Sequence, residues 1–184
     1  MSSGGALAVV RWGRPPARRR RRTGLAAALA VGLIAAPAVF PPTPRLVWNA
    51  SASVPIGLYA LDPHARIRVG DLVAARTPAS VRRLAAARRY LPEGVPLVKR
   101  VAAAGGQTVC AAGPLVSIDG RPVARRRAAD RLGRPLPWWT GCRRLNAGMV
   151  FLLMADVPDS FDSRYFGPVE ASAILGRATP LWVR

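Results

Sequence analysis

The sequence predicts a mainly β domain with one short helix, preceded by one N-terminal transmembrane helix. Three observations carry this. From Pro96 onward the apolar residues fall in short runs bounded by Gly, Pro and Asp, which is strand spacing. Only Ser80 to Leu91 has helical spacing within the larger part of the chain. Gly24 to Phe40 holds seventeen residues without a charge. At 184 residues there is room for one modest domain with a real core, plus an appendage.

The N-terminal elements come first. Arg11, Arg14 and the run Arg18 to Arg22 precede the uncharged stretch, and Pro41, Pro42 and Pro44 stop any helix after it. At about 1.5 Å per residue the apolar run spans about 26 Å, the short end of what crosses a bilayer's hydrocarbon core. Two readings stay open: an uncleaved anchor, or a cleavable signal peptide with Ala36-Pro37-Ala38 as a small-x-small site. Both export the chain beyond Phe40, because the arginines hold the preceding end in the cytoplasm. The expected organisation is a basic cytoplasmic leader (1–23), the anchor or signal peptide (24–40) and an exported domain (41–184), single-pass in the inner, cytoplasmic membrane.

Net charge is +19. The exported part alone has 21 basic against 9 acidic residues once the seven leader arginines are removed, so anionic membrane lipid is an expected partner. There is no zinc-finger spacing and no aromatic-interleaved RNA-binding motif, so a specific nucleic-acid partner is not expected. Cys110 and Cys142 are the only cysteines, and an even pair in an oxidising compartment reads as one disulfide.

Along the exported part, Arg45 to Trp48 leads into the block Asn49 to Tyr59. Gly70-Asp71 turns into a strand over Leu72 to Ala75. Ser80 is placed as the N-cap of the helix, with Leu84, Ala87 and Leu91 on one face, and Pro92-Glu93-Gly94 ends it. Pro96 to Ala102 reads as a strand. Leu115 to Ile118 and Arg121 to Ala124 flank Asp119-Gly120, a two-residue hairpin signal. Ala124 to Arg144, rich in Arg and Pro, reads as an irregular excursion. Met149 to Met154 is a buried strand and Leu181 to Val183 a last one.

Lys99 is the only lysine, against 27 arginines. Where a cation suffices this sequence uses Arg, so the one amine points to a need that a guanidinium cannot meet, namely losing a proton. Burial lowers a lysine from its usual value of about 10.4 and makes it a general base. The single His64 sits in a turn-like polar segment, so a Ser-His-Asp triad is poorly supported and Ser-Lys chemistry remains. Ser53 is the candidate nucleophile, in a stretch punctuated by Pro55 and Gly57 that holds a hydroxyl out of regular structure. Ser51, two residues earlier, is placed to add a side-chain donor beside the Ser53 N–H.

Three ordered blocks, Ser51 to Tyr59, Val98-Lys99-Arg100-Val101 and Asp159 to Gly167, together resemble the serine-lysine signal peptidase family. The version from Asn49 to Tyr59 is most similar to its conjugative-transfer branch, the TraF-type peptidases. The resemblance implies a signal-peptidase-like β domain; no cofactor is expected, and two thiols with one distant His64 make a poor metal site, so no metal is expected. It implies Ser53 as nucleophile, Lys99 as general base, and Ser51 with Ser53 at the oxyanion hole. It gives Ser160 as a hydroxyl orienting the lysine amine, and Asp162 and Arg164 as supporting charges. The implied partner is an exported pre-protein, in this branch a pilin subunit. Three departures move weight from general secretion to a dedicated substrate. Ser53-Val54-Pro55 is one residue shorter than the usual Ser-Met-x-Pro, Met154 to Pro158 replaces a Gly-Asp-Asn-Arg approach, and Gln107 stands where Gly-Asp is common. The rival readings are a general type I signal peptidase and an inactive basic envelope or polyanion-binding protein.

Overall fold

The computed structural model describes residues 17–39 and 43–184. The chain forms two compact units, Met1–Pro42 and Thr43–Arg184. In the first, helix α1 (Ala17–Val39) has a stretch, Arg21–Val39, of mean hydropathy 1.6, long and apolar enough to cross a membrane. It starts seven residues before Gly24, so Arg18 to Arg22 are helical and continuous with the apolar stretch. A helix-forming Ala and five arginines give the backbone no reason to break there. The expectations for Arg11, Arg14 and the proline stop at Pro41 and Pro42 lie outside the described residues.

The second unit is mainly β. Its elements are β1 (Leu46–Asn49), β2 (Gly57–Asp62), β3 (Leu72–Ala75), α2 (Ala79–Ala87), β4 (Leu97–Ala103), β5 (Thr108–Ala112), β6 (Leu115–Ile118), β7 (Arg121–Arg125), β8 (Gly141–Arg144), β9 (Met149–Leu152), α3 (Ser163–Phe166), β10 (Val169–Glu170) and β11 (Ile174–Val183), with a 3-10 turn at Ala171–Ala173. They build a seven-stranded sheet in the order β1-β2-β11-β3-β4-β9-β10 and a four-stranded sheet in the order β7-β6-β5-β8. Every pairing is antiparallel.

The period of two along each strand sorts the core. In the larger sheet, Val73, Ala75, Leu97 and Val101 pack into one apolar cluster, while the residues between them, Ala74 and Val98, pack into another with Tyr59 and Leu61. A third cluster, around Val109, Val116 and Phe151, joins the smaller sheet to β9. The hairpin at Asp119-Gly120 forms as expected: Ile118 pairs with Arg121, and both turn residues have positive φ, 49° and 78°, which a type I′ turn requires.

Six expectations need correction. The helix ends at Ala87, not Leu91, because Arg89 turns left-handed at φ 59° and the Tyr90 N–H reaches back to the Ala85 carbonyl at 2.9 Å, a closure that stops propagation. Ser80 is not its N-cap. Pro78 is, and its carbonyl receives the Arg82 N–H at 3.0 Å. The buried face is Val81 and Ala85, with Ala87 exposed. A second, single-turn helix, α3, joins the one expected. Finally, the excursion Ala124 to Arg144 contains strand β8, held to β5 by pairing of Cys142 with Cys110, and the last strand begins at Ile174, well before Leu181. Strand β8 is exposed throughout and carries no apolar alternation, while Gly176, Arg177 and Pro180 interrupt the apolar run of β11 before Leu181.

Candidate active site

The three sequence blocks converge on one cavity of about 450 Å³ in the second unit, lined by Ser51, Ser53, Lys99 and Ser160 among others. Ser53 lies in the loop that joins β1 to β2. That loop is closed at its base by the pairing of Asn49 with Gly57. Gly57 has φ 154°, and a Cβ there would stand 2.0 Å from the Trp182 carbonyl oxygen of β11, so no other residue fits without moving the sheet. Pro55, next to the loop's end, gives its carbonyl to the Tyr59 hydroxyl at 2.7 Å, and Tyr59 is itself buried. The loop is therefore anchored by the backbone of β11 on one side and by a buried phenol on the other.

Lys99 sits in the middle of β4, opposite Val73 of β3. It is 3% exposed, whereas its neighbour Arg100 is exposed and donates to the Gly70 carbonyl at 2.6 Å. The pleat explains the division: alternate residues of one strand face opposite sides. Burial pushes the Lys99 amine down from 10.5 to about 8; the Asp162 carboxylate opposes that fall, and the Arg164 guanidinium adds to it. A usable fraction of this lysine is neutral near physiological pH.

Asp162 and Arg164 form a buried pair, 0% and 1% exposed, with Arg164 Nε donating to Asp162 Oδ1 at 2.8 Å. Asp162 caps α3 by accepting the Arg164 N–H at 3.1 Å, and its other oxygen accepts the Met154 N–H at 3.1 Å. Arg164 Nη2 returns to the Met154 carbonyl at 2.5 Å. The pair staples the end of β9 to the block that carries Ser160. Buried charges need such full pairing to be tolerated at all. The Ser160 hydroxyl is buried and has no hydrogen-bond partner in the protein, an arrangement that leaves it available inside the cavity.

His64 is exposed in a turn, its N–H donating to Asp62 Oδ1 at 3.0 Å, and it does not line the cavity. Cys110 and Cys142 are disulfide-bonded across β5 and β8, within the smaller sheet. Sequence reasoning missed much of the wall. Arg127, Asp130, Arg131 and Leu136 come from the excursion, and Arg127 and Arg131 both pair with Asp159, which ties the excursion to the Ser160 block. Thr77, whose buried hydroxyl also lacks a partner, lines the same cavity. A polar, Pro-rich segment gives no sign of which cavity it will border.

The cavity collects three serines and one buried lysine, and residues 20–183 match the signal peptidase family, peptidase S26. The chain belongs to that family. It is 39% identical over 140 residues to a probable conjugal transfer protein TraF of Sinorhizobium fredii (71% of this chain, 73% of the relative), and 36% identical over 144 residues to the conjugal transfer protein TraF of Agrobacterium fabrum (73% and 80%). A plasmid transfer protein TraF of Escherichia coli is 35% identical over 143 residues, 72% of this chain and 80% of the relative. Among solved structures, a signal peptidase I from Enterococcus faecalis aligns with a TM-score of 0.38 and 21% identity, covering 62% of this chain and 98% of that one. The family makes this protein a peptidase acting on pre-proteins, and its apolar helix fits a membrane-anchored member.

Proposed function

We infer that this protein is a membrane-anchored serine endopeptidase with a Ser53/Lys99 dyad that removes the leader of an exported protein, a pilin subunit of a conjugation apparatus. One observation carries the chemistry: the chain's single lysine is buried, with its amine lowered to about 8, and lines the same cavity as Ser53. Ser53 Oγ attacks the scissile carbonyl as Lys99 Nζ takes its proton. The Ser53 N–H and the Ser51 hydroxyl donate to the oxyanion. Lys99 returns the proton to the leaving amine, leaving an ester on Ser53. It then deprotonates a water that attacks this ester, and a second tetrahedral collapse restores Ser53. Ser160 Oγ, buried and without a partner in the same cavity, is the acceptor assigned to aim the amine during the reaction. Asp162 and Arg164 hold the block that positions Ser160. The conjugation assignment rests on the names of the relatives together with the short Ser53-Val54-Pro55 block, the pilin substrate on the resemblance to the TraF-type branch, and the placement of the catalytic domain in the periplasm on the leader arginines.

The test uses the full chain in detergent, with a pilin precursor and a general secretory precursor as substrates. Cleavage of the pilin precursor alone is expected. Ser53→Ala is expected to abolish it, and Lys99→Arg, which keeps the charge but cannot accept a proton, to lower it by about 10² to 10⁴. A folded Lys99→Arg protein that cleaves at near wild-type rate refutes the dyad. Equal cleavage of both precursors makes the protein a general signal peptidase instead.

A further inference from the structure

Asn49, the last residue of β1, is outside the dyad and its supports, yet its side chain is 4% exposed and folded into the loop that carries Ser51 and Ser53. Its Oδ1 receives the Ser51 N–H at 3.2 Å and the Ser51 hydroxyl at 3.0 Å. Its Nδ2 donates to the carbonyls of Ser51 at 2.8 Å, Val54 at 3.1 Å and Pro55 at 3.1 Å. A carboxamide offers one acceptor oxygen with two lone pairs and two N–H donors, so both ends are fully used on this one loop.

The placement of one proton gives this clamp a consequence beyond holding the backbone. Ser51 Oγ is 3.0 Å from Asn49 Oδ1 and 3.4 Å from Ser53 Oγ. A hydroxyl donates at about 2.5–3.0 Å, so the amide oxygen and not the Ser53 hydroxyl receives this proton. Were Asn49 Oδ1 absent, Ser53 Oγ would be the acceptor left beside Ser51. A nucleophile that accepts a hydrogen bond is less able to attack. When negative charge develops on the substrate's carbonyl oxygen, that oxygen becomes the stronger acceptor and draws the Ser51 hydroxyl away from a neutral amide.

The geometry points to Asn49 as the positioning residue of the nucleophile loop: its amide oxygen parks the Ser51 hydroxyl off Ser53 in the resting state and keeps it poised for the oxyanion. This role rests on the proposed roles of Ser53 as nucleophile and Ser51 as oxyanion donor.

The experiment is a double-mutant cycle on the full chain in detergent, reading kcat and KM for wild type, Asn49→Ala, Ser51→Ala and the double variant, with thermal unfolding beside each. Asn49→Ala is expected to lower kcat about tenfold to a hundredfold with KM within about threefold, less than the loss of a whole oxyanion donor. In the Ser51→Ala background the same change is expected to alter kcat by less than about threefold, since the two residues act as one unit. The pH at which the rate is half-maximal should not move. Asn49→Asp, which keeps an acceptor oxygen but loses the amide donors, should retain more kcat than Asn49→Ala although it melts lower. If Asn49→Ala does not fold, Asn49→Asp goes through the same cycle in its place, and its smaller loss of kcat should likewise vanish in the Ser51→Ala background. Equal losses in both Ser51 backgrounds, or a loss confined to KM, overturn the inference and leave the dyad standing. A Ser53→Ala protein that still cleaves overturns the dyad itself.

Discussion

Lys99 concentrates the conflict between stability and activity in one side chain. Its amine titrates near 8 in the folded protein against 10.5 when unperturbed, with burial as the main cause. The base must be neutral to act, so kcat/KM should rise with pH through an apparent value near 8 and then level off. A rate profile already flat at pH 6 would exclude this lysine as the base. The stability consequence has a definite sign. Between about 8 and 10.5 the unfolded chain holds a proton that the folded chain has lost, so stability increases with pH across that window. Below about 8 both states are charged, and the full burial penalty, on the order of 3 kcal/mol, opposes folding. Lys99→Met removes the penalty while filling the same space. It should be inactive and should melt higher than wild type at pH 7, with the gap narrowing toward pH 10.5. A lower melting temperature at pH 7 would show that the Asp162 carboxylate stabilises the amine by more than burial penalises it.

Among the elements, the smaller sheet and the larger one do different work. Strands β2, β4 and β11 hold the site: β4 carries Lys99, β2 begins at Gly57, and β11 presses its backbone against that glycine. The four-stranded sheet carries none of the three cavity serines or Lys99, and its exposed edge strand β8 is fastened to β5 by the Cys110–Cys142 bridge. With a sequence separation of 32, that bridge should contribute about 3 to 4 kcal/mol in the chain-entropy account. Replacing both cysteines with serine should therefore lower the melting temperature while leaving kcat at low temperature within about twofold, because the bridge lies outside the cavity lining. A large loss of kcat in a fully folded variant would mean that the smaller sheet shapes the cavity through the 126–136 segment next to β7. The helix α2 shows how little propensity decides alone. Its arginine-rich run continues to Arg89 with good helix formers, yet the backbone turns left-handed at that residue and sends Tyr90 and Leu91 toward the cavity.

At the scale of the whole molecule, the proposed topology places the N-terminal arginines in the cytoplasm and Thr43–Arg184 outside it. The physical basis is the cost of moving clustered guanidinium groups across a bilayer against the bias for positive residues to stay inside. A reporter active only outside the cytoplasm, fused after Arg184, should be active, and a cytoplasmic reporter at the same place silent. The reverse pattern would invert the orientation and separate the site from any exported substrate.

The sequence by itself determined the mainly β class, the apolar helix, the hairpin at Asp119-Gly120 and the cysteine pair. Each depends on residues close in sequence or on a count: strand-length apolar runs, an uncharged stretch, a turn that demands positive φ, two thiols. It also singled out Ser53 and Lys99, because a lone lysine among 27 arginines and a serine in a Pro- and Gly-punctuated loop are visible without coordinates. Only the tertiary structure decided which groups share the cavity and what surrounds them. Arg127, Asp130 and Arg131 border it because Asp159 and Tyr90 hold their segment there, contacts 28 to 40 residues apart in the chain. Strand β8 escaped because its residues face solvent and so carry no apolar alternation, and the first part of β11 escaped because Gly176, Arg177 and Pro180 interrupt its apolar run ahead of the expected Leu181 to Val183. The use of Asn49 escaped for another reason: an asparagine before a Ser-x-Ser loop reads as one more turn residue. What it receives and donates is fixed by the pairing of β1 with β2, a matter of where two strands meet rather than of which residues they contain.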